Sequence, residues 1–374
     1  LSRILLARRK PKEAVDFLQQ AQECDIKQFG TDAPIVAVNL NLLSAALQQS
    51  GDFTTAKTHL GDAIQIIESH SGNSSAELLA PLTTLAELHE HQNALDDAEA
   101  THLRILEIHG TQNPIGSAAT TETLTRLAQL SQRRGDTAKA EAYFQRALSE
   151  CETGEKRDQP QYSELLAHFA HFLDTSGEDR RAEETILNAI KAGKESFGVS
   201  HPVVANLHVQ YAQMLMRENR DNEAELRLRQ SLAIDFEVLG FYHPSTARDL
   251  NLLATVLERS NQLVEAEKLL CQAIEIYEAN GEKFLLNHAT SLDKLAAILS
   301  KTPRHEDTME AAKDAVRAHA QRDRTSGEAS ERLRAAISRY REVGDTDDTD
   351  AQLMEIGAAA GWKIDDWKTI VISE

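Results

Sequence analysis

The 374-residue sequence is poor in everything that bends or cross-links a chain, with 17 glycines, 8 prolines and 3 cysteines. Aromatics make up only 5%. Ala, Leu, Glu and Gln dominate what is left, a composition that favours helix almost throughout. Cys24, Cys151 and Cys271 form no CxxC pair and no even set, so they read as small core or surface residues in a reducing compartment. No apolar run approaches the roughly 18 residues that span a bilayer. No signal peptide is visible either, which makes a cytoplasmic protein the expectation. Positive charge is short, 40 Lys and Arg against 59 Asp and Glu, for a formal charge of −19. That balance argues against a nucleic-acid or anionic-membrane partner, although one basic patch can still sit on an acidic background. The chemical motifs are missing too: there is no GxGxxG, P-loop, GxSxG or HExxH. His168/His171 and His89/His91 have metal-like spacings, but no cysteine or second pair completes a site. No enzyme, metal or cofactor is expected.

What is present is an interval. Ala14, Ala56, Ala98, Ala140, Ala182, Ala224 and Ala266 recur every 42 residues. Five residues before the later six stand Gly51, Asn93, Gly135, Gly177, Asn219 and Asn261. A second phase holds Leu43-Ser44, Leu85-Ala86, Leu127-Ala128, Phe169-Ala170, Tyr211-Ala212, Leu253-Ala254 and Leu295-Ala296. Each unit reads as two helices. Leu250, Leu253, Ala254 and Leu257 recur at three and four, which puts them on one helix face. Asn261 supplies a turn that tolerates positive φ. Leu263, Ala266, Leu270, Ala273 and Ile274 then form a second apolar stripe, with the alanines where the two helices cross closely. Pro34, Pro160, Pro202 and Pro244 share one phase and fit the first position of a first helix, where a missing N–H has no cost. His201 and His243, just before two of them, read as cap residues.

The pattern of large, large-small, turn and Ala resembles the tetratricopeptide repeat, with a longer loop than its usual unit of about 34 residues. The stretches "FGVSHPVVANLHVQYAQML…NEAELRLRQSLAI" and "LGFYHPSTARDLNLLATVL…VEAEKLLCQAIEIYE" are similar to the repeats of kinesin light chains, including a bacterial kinesin-light-chain-like type. The resemblance covers about residues 1–320. It implies an all-α, right-handed superhelical solenoid of 42-residue helical hairpins, and a protein-binding rather than enzymatic role. The paired asparagines of the family's "LNNLA" phrase survive as Asn41 and Asn251, with Thr83, Thr125, Ala167, Val209 and Asp293 elsewhere.

Units are expected at about 33–72, 75–114, 117–156, 159–198, 201–240, 243–282 and 286–320. Leu1-Ser2 falls on the Leu-Ala phase, so the chain is expected to start mid-helix in a partial first repeat. Beyond residue 300 the interval decays: Pro303 replaces the turn residue and Thr308 the crossing alanine. Residues 321–374 read as a degenerate capping hairpin and tail, with a helix at about Glu328–Val343, an Asp-rich turn "GDTDDTD" and a short helix near Ala351–Ala360. Trp362 and Trp367 are expected to pack against the last helix. The phrase "IDDW" also resembles the tryptophan-and-acid peptides that kinesin-light-chain grooves accept, which raises the alternative of a self-docking tail.

The concave wall of such an array is built from first helices. Opposite the core face of the 243–282 unit lie Arg248, Asn251, Thr255 and Glu258, with Arg259 at the border. Carried along the chain, that phase gives Glu87, Glu90, Glu122, Glu164 and Asp174 in the middle. Toward the C-terminal end it gives Asn206, Gln213, Arg217, Arg248, Asn251, Arg259 and Lys301. These last seven are the expected partner-binding residues, suited to an acidic protein segment or peptide. The leading expectation is an adaptor that holds such a partner in its groove. The alternatives are an accessory that decorates tubulin-like filaments and a sensor domain of a larger signalling protein.

Overall fold

The computed structural model describes residues 11–112, 118–152, 160–324, 329–344 and 346–373. The expected mid-helix start at Leu1-Ser2 lies outside them, as does Glu328. The described residues hold no strand; their regular structure is helical throughout. The chain forms two compact units, residues 1–192 and 193–374.

In the first unit the helices are α1 (Pro11–Phe29), α2 (Pro34–Ser50), α3 (Phe53–Ser71), α4 (Leu79–His91), α5 (Leu95–Gln112), α6 (Ala118–Arg133), α7 (Thr137–Glu152) and α8 (Pro160–Thr175), and α9 (Asp179–Phe197) starts in it and ends five residues beyond its last residue, 192. In the second they are α10 (Pro202–Arg217), α11 (Asp221–Val238), α12 (Pro244–Arg259), α13 (Leu263–Ala279), α14 (Leu285–Leu299), α15 (His305–Asp323), α16 (Glu331–Val343), α17 (Thr346–Ala360) and α18 (Ile364–Ser373).

All seven alanines of the 42-residue interval are fully buried. An alanine at a helix crossing lets two backbones approach; any larger side chain there would hold them apart. The turns between paired helices are equally regular. Gly51, Gly135 and Gly177 have φ between 79° and 88°, and Asn93, Asn219 and Asn261 lie between 56° and 60°. These three asparagines are the only non-glycine residues with positive φ among those described. Around each, two backbone bonds close the helix end, as in Asn261 N–H to Glu258 O (3.0 Å) and Gln262 N–H to Leu257 O (2.8 Å). Pro34, Pro160, Pro202 and Pro244 each begin a first helix. The two histidines cap as expected: Nδ1 of His201 accepts from Val203 N–H, and Nδ1 of His243 from Ser245 N–H, both at 3.2 Å.

In the second unit a single core runs from α14 to α18 and takes in Ala296, Val316, Leu333, Tyr340, Leu353, Trp362 and Trp367. The Trp362 indole N–H donates to Ala320 O (2.9 Å), and that of Trp367 to Leu353 O (2.8 Å). Gly357 makes room for the second indole, since a Cβ there would sit 2.4 Å from the ring. Trp367 is therefore a core residue and not a groove ligand, so the tail does not dock in the groove. The expected turn "GDTDDTD" is different: helix α17 begins at Thr346 inside it. Carboxylates in the first turn are favoured by the helix dipole, which is why an acidic run here starts a helix instead of breaking one.

Ala266→Leu should lower stability by about 1–3 kcal/mol, because overpacking the crossing forces α12 and α13 apart. Thermal melting followed by circular dichroism checks it, and an unchanged midpoint would remove the packing role given to this alanine.

Candidate functional site

Six of the seven expected partner-binding residues lie on first helices of the second unit, Lys301 follows in the turn after α14, and most of them are bonded to this chain, one pair to each other. Arg248 Nη1 donates to Asn206 Oδ1, 42 residues earlier, at 3.2 Å. Asn251 Nδ2 donates to Ser291 Oγ at 2.7 Å. Lys301 Nζ meets Glu258 at 2.7 Å. Arg259 donates to Met216 O (2.9 Å) and to Asn219 Oδ1 (2.7 Å), and also pairs with Asp221 (3.1 Å). The Arg259 contacts have a simple cause: Met216 O, in the last turn of α10, accepts Asn219 N–H at 3.3 Å and takes the guanidinium as a second donor, at the helix end where a cation is favoured. Gln213 and Arg217 are exposed. Much of the wall's positive charge thus also ties one repeat to the next.

The first unit repeats this device. Arg133 donates to Asn93 Oδ1 at 2.9 Å, the same relation 40 residues apart as Arg259 to Asn219. Its wall also holds the larger hollow. A cavity of about 990 Å³ opens between α4 and α6, walled by Thr83, Glu87, Glu90, Glu122, Arg126 and Arg133 and floored by His102, Ile105 and His109 of α5. A second of about 420 Å³ continues past Gln129, Glu164 and His168 and shares Glu122 and Arg126 with the first. His102 lies 2.9 Å from Glu90, and that hydrogen bond holds the Glu90 carboxyl below its usual range. Burial pushes His109 down, and His168 too, where Arg126 adds to the effect. His168 Nδ1 meets Gln129 Nε2 at 3.1 Å. Among the described residues no group of three His, Cys, Asp or Glu is placed to hold a metal ion.

Two features escaped sequence reasoning. One is the floor of the larger cavity, because second-helix residues were assigned to the core. The other is Lys294 on α14. Its position, 42 residues after Leu252, belongs to the phase of Arg126 and His168, which line the cavities of the first unit. Following two adjacent wall phases instead of one would have found it.

Beneath the second unit's wall lies a buried acid pair. Asp249 is fully buried, bonded to Arg248 (2.8 Å) and to the Ser231 hydroxyl. Asp235 of α11 is 2% exposed, and its Oδ2 has no hydrogen-bond partner. Burial, and then the charge of Asp249, push the Asp235 carboxyl up to about 6.

Two family models, both described as tetratricopeptide repeat, match the chain, one over residues 1–69 and 204–279 and the other over 120–161, together half its length. With its crossing alanines and capped turns, the chain belongs to the tetratricopeptide repeat family. Its 42-residue unit resembles that of kinesin light chains. No curated protein matches the sequence. Among solved structures it is similar to BtubC (BKLC) from P. vanneervenii, at 21% identity and TM-score 0.57, over 64% of this chain and 94% of that one. The apo form of RapI gives 13% and 0.56, over 91% and 95%. The STAND protein PH0952 from Pyrococcus horikoshii, which has a tetratricopeptide repeat sensor, gives 10% and 0.59, over 94% of this chain and 52% of that one. At these identities the likeness is one of fold. Among the described residues, no helix is long and apolar enough to cross a membrane.

The acid pair gives a pH dependence with a definite sign. Asp235 binds its proton more tightly folded than unfolded, so its stabilising contribution is complete below the ordinary carboxyl range near 3.8 and is lost as pH rises through about 6. Asp235→Asn should therefore raise stability at pH 7 by on the order of 2 kcal/mol and remove this slope between pH 4 and 6. Urea melts at several pH values test it, and a loss of stability at pH 7 would contradict the assignment.

Proposed function

We propose that the chain is a non-enzymatic scaffold that holds an extended segment of a partner protein along its first-helix walls. The observation that carries this is the trough of the first unit, where two cavities sharing Glu122 and Arg126 run along consecutive first helices. A trough that crosses repeat boundaries suits a chain better than a compact small molecule, which closed pockets serve.

On the second unit we assign the contact surface to Asn206, Gln213, Arg217, Arg248, Asn251, Arg259 and Lys301, with an acidic segment as the occupant. Gln213 and Arg217 are exposed and meet the partner directly. The exposed amide of Asn206 can satisfy both N–H and C=O groups of an extended backbone; the Asn251 amide, with Oδ1 buried and Nδ2 bonded to Ser291, shapes the floor of the wall. Arg248, Arg259 and Lys301, paired with carboxylates of this chain, offer their remaining N–H donors to the partner, and such charged contacts set register and association rate more than affinity. A sensor within a larger protein, or an accessory on a filament, would use the same wall.

A photo-crosslinking residue placed at Gln213 should capture the partner, whereas one at Val264, 71% exposed on the second-helix side, should not. Capture only from Val264 would overturn the assignment. Arg217→Glu should weaken binding by about tenfold, more so at low salt, while changing stability by less than about 0.5 kcal/mol.

A further inference from the structure

Three cations of the second unit's wall, Arg248, Arg259 and Lys301, each have a carboxylate of this chain, Asp249, Asp221 and Glu258 respectively, within 3.1 Å. Among the described residues, Lys294 has none. Its half-buried ammonium donates to the Thr255 hydroxyl at 2.7 Å and to the Asn251 backbone carbonyl at 3.4 Å, both neutral. Glu258, whose charge acts on it through space, is already bonded to Lys301. Burial pushes the Lys294 ammonium below its usual range. An ammonium carries three donors, of which these contacts use two. A partly desolvated cation held only by neutral oxygens has given up water without gaining an anion, an arrangement that lowers stability unless an anion arrives.

We propose that Lys294, oriented by Thr255 and the Asn251 carbonyl, is a subsite for one carboxylate of the bound segment. This rests on the scaffold reading above and adds to it the group that reads charge. A carboxylate fits better than a phosphate. One lysine supplies a single positive point charge, while a phosphate carries nearly two negative charges and is best met by arginine forks, and Arg248 and Arg259 on this wall are already engaged. The carboxylate comes from an internal Glu or Asp side chain or from a chain terminus, two sources with the same chemistry.

The test uses the full chain and three fluorescein-labelled dodecapeptides on one Leu/Gln/Ala framework, read by fluorescence anisotropy. The first has an internal Glu and an amidated end, the second Gln at that place and an amidated end, and the third Gln and a free carboxyl end. At least one carboxylate peptide should bind about tenfold tighter than the neutral one, and which of the two does so identifies the source. In Lys294→Met that advantage should vanish while the melting temperature stays level or rises. A charge preference that survives in Lys294→Met would overturn the subsite. So would equal binding of all three peptides to the unaltered protein, which leaves the scaffold reading standing. Binding of none would overturn both. A melting temperature lowered by several degrees in Lys294→Met would show the lysine to be a tie between repeats, and would likewise overturn the subsite.

Discussion

Two helices can lie against each other only as closely as the side chains at their crossing allow, and here that distance is set by one alanine per repeat. Each of the seven is completely buried. With the backbones held close, the leucines on either side reach each other, and the turn between the helices has to be short. A short turn needs one residue in the left-handed region. The chain places glycine or asparagine there at Gly51, Asn93, Gly135, Gly177, Asn219 and Asn261. Alanine, turn and apolar stripe are therefore one requirement expressed at three positions.

The choice between glycine and asparagine at the turn is not neutral. Glycine reaches the left-handed region more easily, but asparagine also offers a side-chain oxygen. Asn93 and Asn219 use it to accept an arginine from the following repeat, Arg133 and Arg259. A residue whose backbone makes the turn inside one hairpin thus also receives the next hairpin, and the arginine that joins it stands at the edge of the wall. Stability and recognition draw on the same side chains there, which is why the wall of the second unit shows so little uncommitted charge.

Almost all of the fold could be read from spacing. Alanine phase, turn positions and proline starts need only periodicity and backbone sterics, and His201 and His243 were recognisable as caps from the prolines beside them. The helix near Ala351–Ala360 is legible but its start at Thr346 is not, because an acidic run suits a loop and a helix N-terminus equally, and local composition cannot separate the two. The wall was legible in phase but not in bonding. Arg259 sits at the expected border, yet its reach lets it fold back onto the Met216 carbonyl of the preceding repeat, a contact set by three-dimensional stacking. Asp235, Asp249 and Lys294 were hidden for the same reason, since a charged residue in a helical pattern looks solvated until the neighbouring hairpin covers it.

Among the described residues, side-chain bonds between repeats typically span about 40 residues, as in Arg133 to Asn93, Arg181 to Glu141, Arg259 to Asn219 and Lys301 to Glu258. Such bonds fasten a hairpin to its immediate neighbour, so within a unit tension passes through a series of separate clasps. Pulled along its length, such a stack gives way one clasp at a time. A segment lying along three first helices would join hairpins that have no bond of their own, acting as a splint, and the stack would then resist stretching and fraying as one body.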